Sequence, residues 1–314
     1  MSVQTIHVTK DEADIRLDRW FHRHFPSVTH GRLEKLLRTG QVRVDGGRAK
    51  ASLRLEAGQA IRVPPLGEAA APPPQKEHAM SSSDIEFVRN MVIHRDDDVI
   101  ALNKPAGLAV QGGTGTTRHL DALLDALRFD AVERPRLAHR LDRDTSGVLL
   151  LGRTARATAF LARAFQGHEA EKIYWAITVG LPFPESGRID LSLAKSGGKG
   201  FERMREDQEE GQRAITDYRV LDRAGKKAAW VELRPRTGRT HQLRAHCAAI
   251  GTPILGDGKY GGRSAMIAGI TTRSVHLHAR AIEMPHPSGG VLRVTAKLPD
   301  FMRETMLFLG FEVP

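Results

Sequence analysis

The segment His139-Arg140-Leu141-Asp142-Arg143-Asp144-Thr145-Ser146-Gly147 runs directly into Val148-Leu149-Leu150-Leu151. Four successive aliphatic residues without polar alternation are what a strand buried on both faces requires. The charge-dense residues before it then form a polar loop at the rim of a sheet, where binding and catalytic sites tend to be built. Two carboxylates, Asp142 and Asp144, stand among Arg140 and Arg143, so an acid here can be held ionised by neighbouring cations. Residue types alone leave several chemistries open: a nucleophile, a general base, a metal ligand, or a metal-dependent phosphoryl transfer using both acids. A solvated, salt-bridged turn has the same composition.

Working outward, short strands are expected over 87–93, 99–103, 172–180, 213–221, 228–234, 274–283 and 290–298, and helices over 120–129 and about 241–250. The glycine-rich stretch 111–116 lacks the Gly-Lys-Ser/Thr ending of a phosphate-binding loop. No dinucleotide fingerprint surrounds it, so no nucleotide cofactor is expected. His241 and His246 are five apart, and His276 and His278 alternate on an expected strand. Neither pair has the spacing of a zinc site, and both are read as packing and hydrogen-bonding residues, so no metal is expected. Cys247, the single cysteine, rules out a disulfide scaffold and reads as a buried hydrophobe on the second helix. Residues 195–212, rich in Gly, Lys, Arg and Glu without periodicity, are expected to be a mobile insertion.

The chain has 314 residues, 40% of them hydrophobic and 27% charged, enough to bury a core and to exclude wholesale disorder. Its net charge of +10 points to a polyanionic partner, nucleic acid before membrane. No stretch approaches the ~18 apolar residues of a membrane span. The first residues lack the apolar core of a secretion signal, so a cytoplasmic location is expected. The charge is unevenly spread. Residues 16–63 hold eleven Arg or Lys against four Asp or Glu, a balance of +7 in 48 residues. Leu17, Trp20 and Phe21 have helical spacing, and a second helix carries Leu33, Leu36 and Leu37 with Arg32, Lys35 and Arg38. Gln41-Val42-Arg43-Val44-Asp45-Gly46 then reads as a hairpin. This block, residues 1–63, resembles the alpha-L RNA-binding module. The resemblance makes Arg32, Lys35, Arg38 and Arg43 its candidate RNA contacts. Residues 64–83, with five of the sixteen prolines, an alanine run and three serines, read as a linker.

His-Arg-Leu-Asp-x-x-Thr-Ser-Gly at 139–147 resembles the signature of the RluA-type pseudouridine synthases. Further matches follow in order: Lys172-Ile173-Tyr174, Gly238-Arg239-Thr240-His241-Gln242-Leu243-Arg244-Ala245-His246, Gly256-Asp257-x-x-Tyr260 and Leu277-His278-Ala279. The resemblance implies an α+β catalytic domain over 84–314, with flanking helices around a long, mixed, mostly antiparallel sheet. It implies isomerisation of uridine to pseudouridine in RNA without cofactor or metal. Asp142 is implied as the essential aspartate, acting on the ribose directly or through a glycal. Arg244 is implied to compensate its charge, Tyr174 to stack on the base, and Arg140 to fill the gap left by the extruded uridine. The N-terminal module and the 111–115 loop look most like the RluC branch, which makes large-subunit ribosomal RNA the expected substrate and a monomer the expected state. An RluD-like enzyme with another ribosomal target, or a non-catalytic RNA-binding assembly factor, are the alternatives.

Overall fold

The computed structural model describes residues 3–66, 80–112, 118–197, 203–271 and 274–313. The chain divides into two compact units, Met1–Ala79 and Met80–Pro314. In the first, β1 (Gln4–His7), α1 (Leu17–His24), α2 (His30–Arg38), β2 (Arg43–Val44) and β3 (Ala60–Val63) build a three-stranded antiparallel sheet, order β1-β3-β2, beside two helices. Leu17, Trp20 and Phe21 of α1 and Leu33 and Leu37 of α2 share one buried cluster with Ile61 of β3, as their spacing predicts. Thr29 caps α2 by accepting from the Arg32 amide. Lys35 and Arg38 are exposed. Arg32 donates instead to the Leu66 carbonyl, and Arg43 to the carbonyls of Gly40 and Gly46, both at 3.1 Å.

Residues 67–79 of the expected linker lie outside the described residues, as do 113–117 of the glycine-rich loop. The end of the linker reading needs correcting. Ser81 accepts from the Asp84 amide at 3.1 Å and opens α3 (Ser82–Arg89), so the serine run is a helix cap. The strand expected over 87–93 is likewise corrected. Its first residues finish α3, with Val88 fully buried, and only Val92–Arg95 (β4) is extended.

The second unit continues with β5 (Val99–Lys104), α4 (Leu120–Leu123) running into a 3-10 turn (Leu124–Leu127), β6 (Arg136–Leu137), β7 (Ser146–Gly152) and α5 (Ala155–Gln166). Then come β8 (Glu171–Val179), β9 (Ser186–Ser196), β10 (Arg203–Glu206), β11 (Gln212–Ala224) and β12 (Ala228–Pro235). The last elements are α6 (Gln242–Ala249), β13 (Leu277–Pro285), β14 (Val291–Thr295) and α7 (Asp300–Leu309). Among the described residues the strands form one sheet, order β10-β9-β11-β12-β8-β13-β7-β5-β4, with β14 on β13 and β6 on β7. Every pairing in it is antiparallel except β7 with β13, so the expected α+β class with a mostly antiparallel sheet holds. The 195–212 reading is corrected. Its described residues include the end of β9, all of β10 and a turn leading into β11, and charged side chains suit these strands because most face solvent.

β7 is buried along its whole length. Val148 to Leu151 pack on both faces, each side chain contributing about 1.5–3 kcal/mol. Its parallel contact with β13 is short, Ser146 opposite His278 and Gly147 opposite Ala279. Gly147 has φ +109°, and a Cβ there would sit 2.2 Å from the Ala279 carbonyl oxygen. The Ser146 hydroxyl lies 2.9 Å from His278 Nδ1, and His278 Nε2 donates to the Ala296 carbonyl at 3.3 Å. His246 meets Thr216 Oγ1 at 2.9 Å, and His276 bridges the Leu255 carbonyl and Thr305 Oγ1. Among the described residues no group of three or more His, Cys, Asp or Glu is arranged to hold a metal ion.

Two outcomes follow from this packing. Gly147→Ala combines a disfavoured φ with a backbone overlap and should cost about 3 kcal/mol or more, read from urea unfolding. The second concerns His246, His276 and His278, all fully buried, each pushed down to about 4 by burial. As pH falls below the unfolded value of about 6.5 the unfolded chain takes up these protons first, so their stability contribution is complete above 6.5 and is lost towards 4. Unfolding free energy should drop by about 1–2 kcal/mol per histidine between pH ~7 and ~5. A flat profile would show that these imidazoles are not held neutral.

Candidate active site

The loop before β7 is strapped down by its own backbone. The Asp142 carbonyl accepts from the Thr145 amide at 3.2 Å, and the Arg143 carbonyl accepts from the Gly107 amide at 2.9 Å. Arg143 Nε returns a bond to the Gly107 carbonyl at 3.0 Å. Beneath lies Lys104, fully buried at the end of β5, whose ammonium donates to the carbonyls of Pro105, Leu108 and Arg143 at 2.9, 3.0 and 3.1 Å. Burial pushes Lys104 down to about 8, opposed by the charges of Asp144 and Asp142. His139 does structural work in the same loop. Its Nε2 accepts from the Leu150 amide at 2.9 Å and its ring lies 4.2 Å from that of Phe165. Burial, and then Lys172, push it down to about 3, so it is a neutral imidazole with its proton on Nδ1.

The facing wall comes from residues 235–243. Gln242, buried at the start of α6, accepts through Oε1 from the Thr237 hydroxyl (2.7 Å) and the Arg239 amide (3.0 Å). Its Nε2 donates to the Ile215 carbonyl and Thr216 Oγ1. His241 precedes it with φ +52°, a conformation that non-glycine residues rarely hold. Its Nδ1 lies 2.9 Å from the Tyr260 hydroxyl, which also accepts from the Met204 amide of β10 at 2.9 Å. Burial pushes His241 down, opposed by Asp142.

Arg244 lies one turn further along α6 and is buried. Its Nε and Nη2 clamp Asp257 at 2.7 and 2.8 Å, and its Nη1 lies 3.5 Å from Asp144. Its guanidinium also sits 5.3 Å from the centre of the Tyr260 ring. Asp257 is fully buried and accepts two further bonds, from the amides of Lys259 and Tyr260. Burial is the largest single influence on Arg244 and lowers it, but the bond to Asp257 and the charges of Asp257, Asp142 and Asp144 together outweigh it and raise the guanidinium. Its direct ion pairs thus go to Asp257 and Asp144, and Asp142 acts on it through space.

Between the two walls opens a cavity of about 800 Å³. Asp142, Arg140 and Tyr174 line it, while Arg244 stands behind the wall. Among the described residues, Asp142 is the one carboxylate in the lining, against four cations, Arg140, Arg143, Lys172 and Arg239. Tyr174 is raised by burial and then by Asp142, so its phenol stays neutral and presents an aromatic face. Arg140 is exposed at the mouth, its Nη1 3.4 Å from Gln111 Oε1. Sequence reasoning gave no role to Lys104, Asp257 or Tyr260, and read His241 as a packing and hydrogen-bonding residue. The Gly-Asp-x-x-Tyr pattern quoted above was the available signal for Asp257 and Tyr260, but nothing in it shows that the aspartate is buried against Arg244. In the first unit a separate hollow of about 670 Å³ is lined by Arg16, Asp18, Arg19, His22 and Arg23 of the α1 region and by His30 and Leu33 of α2, with Arg16 paired to Asp18 at 2.6 Å. The sequence had pointed to α2 and Arg43 of β2.

Comparison with known proteins bears on this geometry directly. The family model described as RNA pseudouridylate synthase matches residues 98–249, a span that includes the Asp142 loop, Tyr174 and Arg244. The chain is 36% identical over 291 residues to the ribosomal large subunit pseudouridine synthase C of Rickettsia conorii, covering 91% of this chain and 94% of that protein. It is 34% identical to the protein of the same name in Escherichia coli O157:H7, covering 97% of this chain and 96% of that one. The human RNA pseudouridylate synthase domain containing 4 structure superposes with a TM-score of 0.62 at 29% identity, covering 73% of this chain and 97% of that one. A single carboxylate in a cationic cavity and full-length similarity to such enzymes lead to one assignment: the chain belongs to the RNA pseudouridylate synthase family and is an RNA pseudouridine synthase.

Proposed function

We propose that the enzyme isomerises uridines of large-subunit ribosomal RNA, with Asp142 as the group that acts on the ribose. The observation that carries the role of Asp142 is its isolation. It is the one carboxylate among the described residues lining a cavity with four cations, a charge balance that suits a nucleic acid and leaves one candidate nucleophile. The names and full-length similarity of the Rickettsia and Escherichia relatives support the substrate.

In this reading a target uridine leaves its stack, because its glycosidic bond is inaccessible within a helix, and enters beside Tyr174. The Tyr174 ring offers a stacking face worth roughly 1–3 kcal/mol. Asp142 promotes cleavage of the bond from N1 to the anomeric carbon, and the uracil turns and bonds through C5. The C5 proton leaves and N1 takes one up, so every atom and electron is conserved and no redox partner or nucleotide enters. Arg140 fills the space the uridine vacates, a role supported by its exposure at the cavity mouth. Arg244 and Lys104 together supply the positive field under Asp142; both respond to its charge. We assign phosphate capture to the first unit through Lys35 and Arg38, which are exposed, and through Arg19 and Arg23 of the α1 hollow, since Arg16 is already paired with Asp18. Arg32 and Arg43 contribute less, since their guanidinium groups already serve backbone carbonyls. Ribosomal RNA as substrate supports a cytoplasmic location, and no helix among the described residues is long and apolar enough to cross a membrane.

Pseudouridine mapped on ribosomal RNA from a deletion strain, complemented with wild type or Asp142→Ala, tests the central claim. Asp142→Ala should reduce modification on the order of a thousandfold or more. Restoration of the same positions by that variant would exclude Asp142 as the reacting group. Lys35→Gln combined with Arg38→Gln should weaken RNA binding and make its log-log salt dependence shallower by about 1 to 2. An unchanged slope would remove both residues from the RNA contact.

A further inference from the structure

The cavity does not end at Tyr174. Two residues earlier on β8, Lys172 faces the same cavity, roughly 7 Å further along the strand. The wall there is made by Ala162, Phe165 and Gln166 at the end of α5 and by His168, which follows the helix with φ +63°. Lys172 is half-buried, and among the described residues its ammonium has no hydrogen-bond or ion-pair partner. Its charge is disfavoured by burial. The charge of Asp142 perturbs Tyr174, His241, Arg244 and Lys104, but it does not register on Lys172. The other charged or titratable groups beside it are the neutral His139 and the histidine of the rim, His168, so no acid of this lobe balances it. A desolvated cation without a counter-charge is a standing cost, and an anion arriving with the ligand removes it.

We propose that Lys172 forms a backbone-phosphate subsite, engaging one phosphodiester of the RNA strand next to the uridine seated at Tyr174. This rests on the RNA reading given above and adds where the strand runs: from the Asp142 end of the cavity towards the end of α5. The spacing between Tyr174 and Lys172 is on the scale of one nucleotide step, so the base and a neighbouring phosphate can be held by one face of one strand. His168 stands at the rim of the same lobe, where the chain leaves α5 for β8.

The test uses the full chain carrying Asp142→Ala, so that no turnover intervenes, and an unmodified transcript of large-subunit ribosomal RNA. Dissociation constants are measured across a potassium chloride series for the parent, Lys172→Gln, Lys172→Met and Lys172→Arg. Loss of one phosphate contact should weaken binding about five- to twentyfold and reduce the salt slope by about 0.7 to 0.9 in both neutral variants, with Lys172→Arg close to the parent. In the otherwise wild-type enzyme the rise in KM should exceed the fall in kcat. A parental salt slope in both neutral variants overturns the subsite, as does a loss confined to kcat, which would place Lys172 in the chemistry. Two differently shaped neutral side chains separate lost charge from misfolding. Because binding is read without catalysis, an unchanged slope counts against Lys172 alone, and failure of the active enzyme to modify this RNA counts against the substrate.

Discussion

The Lys104 ammonium, without access to water, donates to three backbone carbonyls, and one of them, on Arg143, belongs to the loop that presents Asp142. A buried lysine is unfavourable by several kcal/mol unless its charge is met. Here it is met twice, by carbonyl dipoles at close range and by the carboxylates of Asp142 and Asp144 beyond them. Much of the catalytic unit answers the same demand from the other side. Cations fixed beside a half-buried carboxylate offset part of the cost of taking it out of water. β5 delivers Lys104, α6 delivers Arg244, and β7 is the rigid member between them.

That arrangement explains why a nine-residue signature puts so few side chains into chemistry. His139 is spent on the Leu150 amide, Ser146 on His278, and Gly147 on its close approach to Ala279. Thr145 is buried and closes the turn through its amide. These residues fix the position of the loop, and Asp142 and Arg140 alone of the signature's charged residues combine cavity exposure with freedom from a backbone partner. Arg143 lines the cavity but is tied to Gly107. The distant motifs converge in the same way. Gln242 ties the 237–239 turn to β11, and Asp257 ties Arg244 in place.

How much of this could be read in advance depended on whether the determining interaction was local. The run Val148 to Leu151 declares a buried strand by itself, and the periodicities around Trp20 and Leu33 declare their helices. Residues 87–89 misled because apolar, β-compatible side chains at Phe87 and Val88 outweighed a short cap at Ser81 that only geometry reveals. The polar composition of 195–212 suggested irregular chain, yet β9 and β10 pair at the edge of the sheet, where strands carry charge on purpose. Lys104 was invisible for a different reason. A lysine at the end of an apolar strand ordinarily reaches for water, and nothing in Asn103-Lys104-Pro105 says that three carbonyls will replace it.

The position of Arg244 sharpens what that cation can do. A guanidinium whose Nε and Nη2 are committed to Asp257, and whose Nη1 faces Asp144, has no fork left for a bidentate bond to Asp142. Its effect on Asp142 is then that of a fixed charge, shared among three carboxylates, with Lys104 as the second contributor. Three acids around two buried cations leave the inner shell short of positive charge by one. The arginines lining the cavity offset that deficit from outside, at positions open to the cavity. In the proposed RNA reading, a phosphate that claims a lining arginine would change the field at Asp142 as well as occupy the cavity, because it would withdraw part of the compensation that the arginine gives.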